Sequence, residues 1–338
     1  MTVQKPESLP PPPGVMGSLR AGFDIVSNRI ALILAPLALD VFLWLGPRLS
    51  VYELLKPFFQ FVFIQARQGV SDSQLEQFSE MQDLFMNWLR DFNLFSLLTK
   101  LTIFPIGISS LSAQILPVET PLGTRTVIEV TSAIGFIGLS FAFVLIGWIV
   151  GGLYFRGVAV SIFGGSEAPI GSGRAIAQTL FLCMLWSVGL LMIFFPAMFV
   201  LGILALISPI LANSAILVFL FFSFWLIVPL YFAPHGIFIR KQNAFSSLFA
   251  SLRMARFTLP TSGLFVLSVF LLSRGLDYLW GAPQSDSWLA LVGFAGHAFI
   301  TTALLAASFV YYRDMNDWLQ NTYEKWLHAN QPSSAKQV

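Results

Sequence analysis

The chain has 338 residues, of which 56% are hydrophobic and 11% are charged, and its formal net charge is +2. Soluble domains carry about 25% charged residues, so the composition excludes an ordinary soluble domain and favours a polytopic membrane protein. The small net charge excludes a broad basic field for nucleic acid. The single cysteine, Cys183, excludes an intramolecular disulfide and a cysteine-based metal site.

The N-terminal part contains a lead-in, a surface helix and a first membrane span. Residues 1–16 are proline-rich and are predicted to be disordered. Apolar side chains then recur at helical spacing between residues 19 and 30, which predicts an amphipathic helix at the membrane surface. The first predicted span covers residues 29–46 and is interrupted by Pro36 and Asp40.

Residues 47–125 are too long and too polar for a simple turn and predict an extracytoplasmic helical insertion. Apolar periodicity indicates one amphipathic helix in residues 54–63 and another in residues 75–92. Residues 94–116 are apolar but are broken by Lys100, several serines and a proline. This segment is interpreted as an interfacial or re-entrant piece, with a true span as the alternative.

A charge-free stretch dominates the second half of the chain, since residues 175–239 contain no Asp, Glu, Lys or Arg. As one helix it would reach roughly 100 Å, while a bilayer core is about 30 Å thick. The stretch therefore folds back, and the polar residues 208–214 predict the turn. With this hairpin, the later part of the chain has five predicted spans: residues 127–155, 176–206, 214–234, 259–273 and 288–312.

Gly147 and Gly151 lie four residues apart in the second span. Small residues at this spacing allow two helices to approach closely. Glycine is also simply common in membrane helices. Both interpretations stay open.

A basic amphipathic helix is predicted after the charge-free stretch. Arg240, Lys241, Arg253 and Arg256 bracket an apolar face, which is typical of a helix that contacts anionic lipid head groups. These residues lie on the side that the positive-inside rule makes cytoplasmic, whereas the outer connections hold few basic residues apart from those of the long insertion. The sequence thus predicts one six-span domain over residues 17–328, a disordered tail over 329–338, and cytoplasmic N- and C-termini.

Two ionisable residues fall inside predicted spans, where a charge is costly and therefore suggests function. Asp40 follows Arg29 by about 16 Å of helix, and His297 lies roughly 14 Å from the opposite side, so both fall near mid-depth. We predict an intramembrane polar pair that exchanges a hydrogen bond or a proton. The alternative is that Asp40 bonds to backbone or hydroxyl groups and His297 is a neutral packed residue.

No enzyme class fits the remaining motifs. An intramembrane serine protease of the rhomboid type needs glycines around its serine, but Ser223 is flanked by Phe222 and Phe224. No zinc-protease motif and no P-loop is present. The three histidines are in separate segments, which argues against a metal site. The sequence therefore predicts no catalytic site, no metal and no cofactor.

Residues 234–267 resemble a bacterial family, the helical membrane domain found fused to some glycerophosphoryl diester phosphodiesterases and its stand-alone relatives. In that family a proline follows a span, and a short interfacial helix with spaced Ala and Ser residues precedes the next span. Here Ala244, Ser247 and Ser251 stand in that segment. Arg240 and Lys241 replace an acidic residue often seen before the helix. The resemblance implies a non-catalytic membrane domain.

The combined expectation is an all-α, six-span protein of a bacterial cytoplasmic membrane with interfacial and extracytoplasmic amphipathic helices. Its expected function is that of a non-enzymatic component that interacts with lipid or binds a protein partner. The alternative function is a small-solute or lipid permease that uses Asp40 and His297. A cavity that reaches those two residues would favour the permease, and a solidly packed bundle would favour the first function.

Overall fold

The computed structural model describes residues 11–100, 104–117, 119–163 and 168–329. Most of the predicted lead-in and nearly all of the predicted tail lie outside the described residues. The described part is mainly helical, and its strands form two small two-stranded sheets. The predicted all-α architecture is confirmed at this level.

Five described helices are long and apolar enough to cross a membrane, and a bent helix pair makes up to six. They are α6 (Ala133–Ile162), α7 (Ser172–Ile207), α8 (Pro209–Phe232), α10 (Ala244–Trp280) and α11 (Ala290–Ala329). The third of them, α8, continues into the short helix α9 (His235–Ile239).

The bent pair consists of α1 (Val15–Asn28) and a second arm that contains α2 (Leu34–Leu45) and is turned by 95°. The predicted span over residues 29–46 is only this second arm. The predicted surface helix is α1, and its inner face is buried against α11. Gly22 makes this packing close, because a Cβ atom there would lie 2.6 Å from the Cβ of Ala307.

The insertion begins with β1 (Arg48–Ser50) and continues through α3 (Tyr52–Arg67) and α4 (Leu75–Asp91). The short α5 (Ser112–Ile115), β2 (Glu119–Thr120), β3 (Gly123–Thr124) and β4 (Val127–Glu129) follow. Pairing of β4 with β1 in parallel closes the base of the insertion. The predicted span that begins at residue 127 is therefore corrected: its first residues form β4, and α6 begins after the N-cap Ser132.

The segment predicted as interfacial or re-entrant folds into the helix bundle as an irregular loop over residues 99–110, of which 101–103 lie outside the described part. The amide of Lys100 donates to the carbonyl of Ile108 over 2.7 Å, which joins the two arms of the loop. The loop backbone packs on glycines of α6, because a Cβ on Gly151 would lie 2.6 Å from the Cα of Gly107. The described part of the segment is not a spanning helix.

Two helix boundaries differ from the prediction. The predicted turn over residues 208–214 shortens to Ser208, because Pro209 occupies the first turn of α8, where its missing N–H costs nothing. The predicted interfacial helix and the span over residues 259–273 join into the single helix α10. This helix continues across a kink at Thr258, two residues before Pro260.

Two serines that carry the sequence resemblance, Ser247 and Ser251, have a packing role at the start of α10. The hydroxyl of Ser247 donates to the carbonyl of Ala233 over 2.6 Å, and that of Ser251 donates to the carbonyl of Pro229. Both carbonyls belong to the last turns of α8, where helix carbonyls lack intrahelical partners. The serines therefore satisfy the end of α8 inside an apolar bundle.

Candidate functional site: a polar-ended cavity

A cavity of about 440 Å³ lies between α6, α7, α8, α10, α11 and the irregular loop. Its wall is mainly apolar, with Phe155, Trp186 and Leu304 among the lining residues. Cavities of this size are typical of small-molecule sites, which combine apolar walls with a few placed polar groups. The bundle is therefore not solidly packed at its centre.

One end of the cavity is polar and buried. The Nε2 of His235 and the hydroxyl of Ser308 lie 2.8 Å apart, and both residues are at most 2% exposed. The imidazole of His235 packs against the ring of Phe309 with centroids 4.6 Å apart. Its Nδ1 has no hydrogen-bond partner among the described residues. This end of the cavity therefore offers an unused polar atom.

Lys100 brings a positive charge to the same cavity. It lies in the loop, outside the spanning helices, and its side chain is accessible from the cavity. In the described part of the chain, its ammonium group makes no ion pair or hydrogen bond. The charge is therefore available to an anionic ligand.

The exposure of the helical lining residues differs along the cavity. Ile227 of α8 is 49% exposed, whereas His235 of α9 is 2% exposed. On α11, Thr301 is half-buried and Ser308 is fully buried. The helical lining is thus more exposed toward the N-terminus of α11 than at His235 and Ser308, and Lys100 of the loop is also exposed.

Asp40, one of the two predicted site residues, holds the end of the loop. Its Oδ1 accepts hydrogen bonds from the Ser110 hydroxyl over 2.6 Å and from the Ser112 amide over 2.9 Å. The Ser112 hydroxyl also donates to the Asp40 carbonyl over 2.9 Å. Asp40 is fully buried, and its Oδ2 has no partner among the described residues.

His297, the other predicted site residue, is bonded to a different carboxylate. Its Nδ1 lies 2.9 Å from the Oδ1 of Asp277, and the second oxygen of Asp277 lies 3.8 Å from Arg274. The Nε2 of His297 is buried and has no partner among the described residues. Arg274 is 46% exposed, so a chain of polar groups leads from the surface to His297.

The structure brings Asp40 and His297 close enough for electrostatic interaction. In the described structure no direct hydrogen bond or ion pair joins them, although each has one orphaned polar atom. Neither residue lines the central cavity. The predicted exchange between them stays a prediction.

The four basic residues predicted at the membrane surface lie at one end of the bundle. Arg240 forms an ion pair with Asp317 over 3.0 Å, and the carbonyl of Lys241 accepts a hydrogen bond from Arg174. Arg253 and Arg256 are exposed on the first half of α10. The Arg240–Asp317 ion pair joins the C-terminal part of α11 to the segment that precedes α10.

Lys100 and His235 were not singled out as site residues by the sequence reasoning. Lys100 was noted as an interruption of an apolar segment, and His235 as an isolated histidine. They are 135 positions apart, and only the fold of the loop brings them to one cavity. The sequence feature that could have indicated a site here is a single lysine in an otherwise apolar segment.

Comparisons with known proteins add no family assignment. No protein-family model, no curated protein and no solved structure matches the chain. The resemblance of residues 234–267 to the phosphodiesterase-associated membrane domain therefore stays a prediction.

Proposed function

We propose that the chain is a six-span protein of a bacterial cytoplasmic membrane with both termini in the cytoplasm. The five membrane-length helices and the bent pair of α1 and α2 support this span number. The distribution of arginine and lysine supports the orientation. In this placement Arg253 and Arg256 face anionic head groups at the cytoplasmic surface, and the more exposed part of the helical cavity lining lies toward the outer half of the bilayer.

We further propose that the protein is a non-enzymatic, lipid-interacting component whose cavity binds an amphiphile with an anionic head group. The observation that carries this proposal is the ammonium of Lys100, which lines an apolar cavity together with the buried His235 and Ser308 and is unpaired among the described residues. An isolated charge in such surroundings is costly, and an anion beside it would offset the cost. The apolar wall toward the more exposed end would then receive the acyl chain.

Replacing Lys100 by methionine tests this function. The probe is a fluorescent long-chain fatty acid, compared with the corresponding fatty alcohol, which has the same chain and no charge. The purified protein is expected to bind the acid about tenfold or more tightly than the alcohol, because a charge-assisted hydrogen bond contributes about 1.5–3 kcal/mol. The Lys100→Met variant is expected to lose this preference.

Arg253→Gln is the matched control, because it removes an exposed positive charge that lies outside the cavity. It should bind both probes as the unchanged protein does. Equal affinity of the unchanged protein for acid and alcohol would contradict the proposal, and so would an unaltered preference in Lys100→Met.

A permease that uses Asp40 and His297 is the second candidate function. One observation favours it. The Oδ2 of Asp40 and the Nε2 of His297 are buried without a hydrogen-bond partner among the described residues, and the two side chains interact electrostatically. Asp40 is also bonded to Ser110, which directly follows the cavity-lining Ser109. A change at Asp40 can therefore be transmitted to the loop that carries Lys100.

In proteoliposomes, Asp40→Asn is expected to abolish proton-linked uptake if this second function holds, because the amide keeps the shape of the side chain but cannot exchange a proton. The measurement is the flux of the fluorescent fatty acid under an imposed pH difference. Asp24→Asn, at an exposed carboxylate of α1, is the control. A flux in Asp40→Asn equal to that of the control would remove the role of Asp40.

A further inference from the structure

The helical hairpin formed by α3 and α4 has an apolar side that nothing covers in the described structure. The two helices are antiparallel and are joined through aromatic rings, with the centroids of Phe59 and Phe85 4.7 Å apart and those of Phe63 and Phe78 6.0 Å apart. Beyond this interface, large apolar side chains between 40% and 72% exposed form an apolar ridge: Phe58, Phe61, Val62, Met81, Leu84 and Trp88.

Helical periodicity places the whole ridge on one side of the hairpin. At about 100° per residue, the α3 members of the ridge lie on one flank of the ring interface, and the α4 members lie on the flank of α4 that faces the same way. The other side carries charged residues, with Glu53 and Lys56 on α3 and Glu76 and Asp83 on α4, and one exposed apolar residue, Ile64. The hairpin as a unit is therefore amphipathic.

The base of the hairpin lies at the level of the first turns of α6. Phe59 and Phe85 share a hydrophobic cluster with Phe136 and Leu139 of that helix. Another side of the same turns is exposed and apolar, with Ile137 66% exposed. Because α6 begins at the proposed outer boundary of the membrane, the hairpin starts where the head-group region meets the acyl chains.

We propose that the α3–α4 hairpin lies on the outer leaflet of the membrane, with the apolar ridge inserted among the lipids and the acidic side in water. The occupant of the ridge is lipid, because the ridge carries no charge and includes a tryptophan of the kind enriched at membrane interfaces, and because the hairpin packs against α6, whose exposed Ile134 and Ile137 are also apolar. This inference rests on the proposed membrane placement and is independent of the cavity ligand.

The single cysteine of the chain makes a clean depth measurement feasible. In a Cys183→Ala background, one nitroxide label is attached at Leu84→Cys on the ridge and another, in a separate variant, at Asp83→Cys on the acidic side. In lipid vesicles, relaxation of the label by oxygen reports the bilayer interior, and relaxation by a polar nickel chelate reports water. The ridge label is expected to respond to oxygen and the acidic-side label to nickel.

A label at Phe141→Cys separates this proposal from the membrane placement itself, because Phe141 lies on α6 and is 67% exposed. Failure of oxygen to reach the Phe141 label would overturn the placement. With that label in lipid, a water-accessible Leu84 label would overturn insertion of the hairpin. A Leu84 label shielded from both reagents would also overturn it and would indicate a protein partner. Thermal melting equal to that of the unlabelled protein shows that each variant is folded.

Discussion

Gly151→Val is expected to displace the irregular loop from the bundle and to abolish binding at the cavity. A Cβ at this position would lie 2.6 Å from the Cα and 3.0 Å from the N of Gly107, and both atoms belong to backbone that cannot rotate away. Overpacking of this kind costs about 1–3 kcal/mol. The loop carries Lys100, so the effect on ligand affinity should exceed the effect on stability.

Gly138→Val is the matched control, because it lies on the same helix and a Cβ there would meet nothing within 4 Å. Both variants carry the same helix-propensity change, so their difference isolates the contact with the loop. Thermal melting in detergent and titration with the fluorescent fatty acid are the measurements. If Gly151→Val binds the probe like Gly138→Val, the loop does not depend on this contact.

The glycines of α6 illustrate what periodicity can and cannot predict. Their four-residue spacing indicated a surface suited to close approach, and the structure shows close approach at Gly147 and Gly151. One interpretation of the spacing was packing against another helix, but the backbone that these two glycines meet is that of Leu98 and Gly107: a Cβ on Gly147 would lie 2.8 Å from the carbonyl oxygen of Leu98. The spacing of glycines indicates that one helix surface lacks side chains, whereas the segment that packs on this surface depends on distant parts of the chain.

The depth of Asp40 in the membrane stays a prediction that assumes one straight helix from residue 29. The chain turns by 95° before Ile30, so that α1 does not continue the direction of the second arm, and Asp40 lies five residues before Leu45, the last residue of α2. A break of this kind has no strong local signal, since neither glycine nor proline stands between Asn28 and Ile30.

The charge-free stretch contributes to the cavity although it holds no Asp, Glu, Lys or Arg. In the structure, Tyr231 and His235 at the end of the charge-free stretch line the cavity. A neutral histidine and a tyrosine supply polar atoms without formal charge, so the absence of Asp, Glu, Lys and Arg does not exclude polar site residues.

Gly22→Val is expected to detach α1 from α11, because this position has the tightest backbone approach between the two helices. A Cβ at Gly22 would lie 2.5 Å from the amide nitrogen of Ala307 and 2.6 Å from its Cβ, and it would also meet the carbonyl of Ala303. Both alanines are fully buried, so α11 has no room to yield. Arg29, between α1 and the second arm of the bent pair, already has an exposed side chain, and loss of this packing should let its backbone open and become exposed to a protease.

Limited trypsin digestion followed by mass analysis measures that exposure. Gly17→Val is the control, because it makes the same substitution in α1 where a Cβ would meet nothing within 4 Å. Faster cleavage after Arg29 is expected in Gly22→Val alone, since cleavage of a native segment requires local opening and the clash lowers the free energy of that opening. Equal cleavage of the two variants would show that α1 is held by contacts other than the Gly22 approach. In that case the small side chains of α11 would not be what positions the first arm of the span.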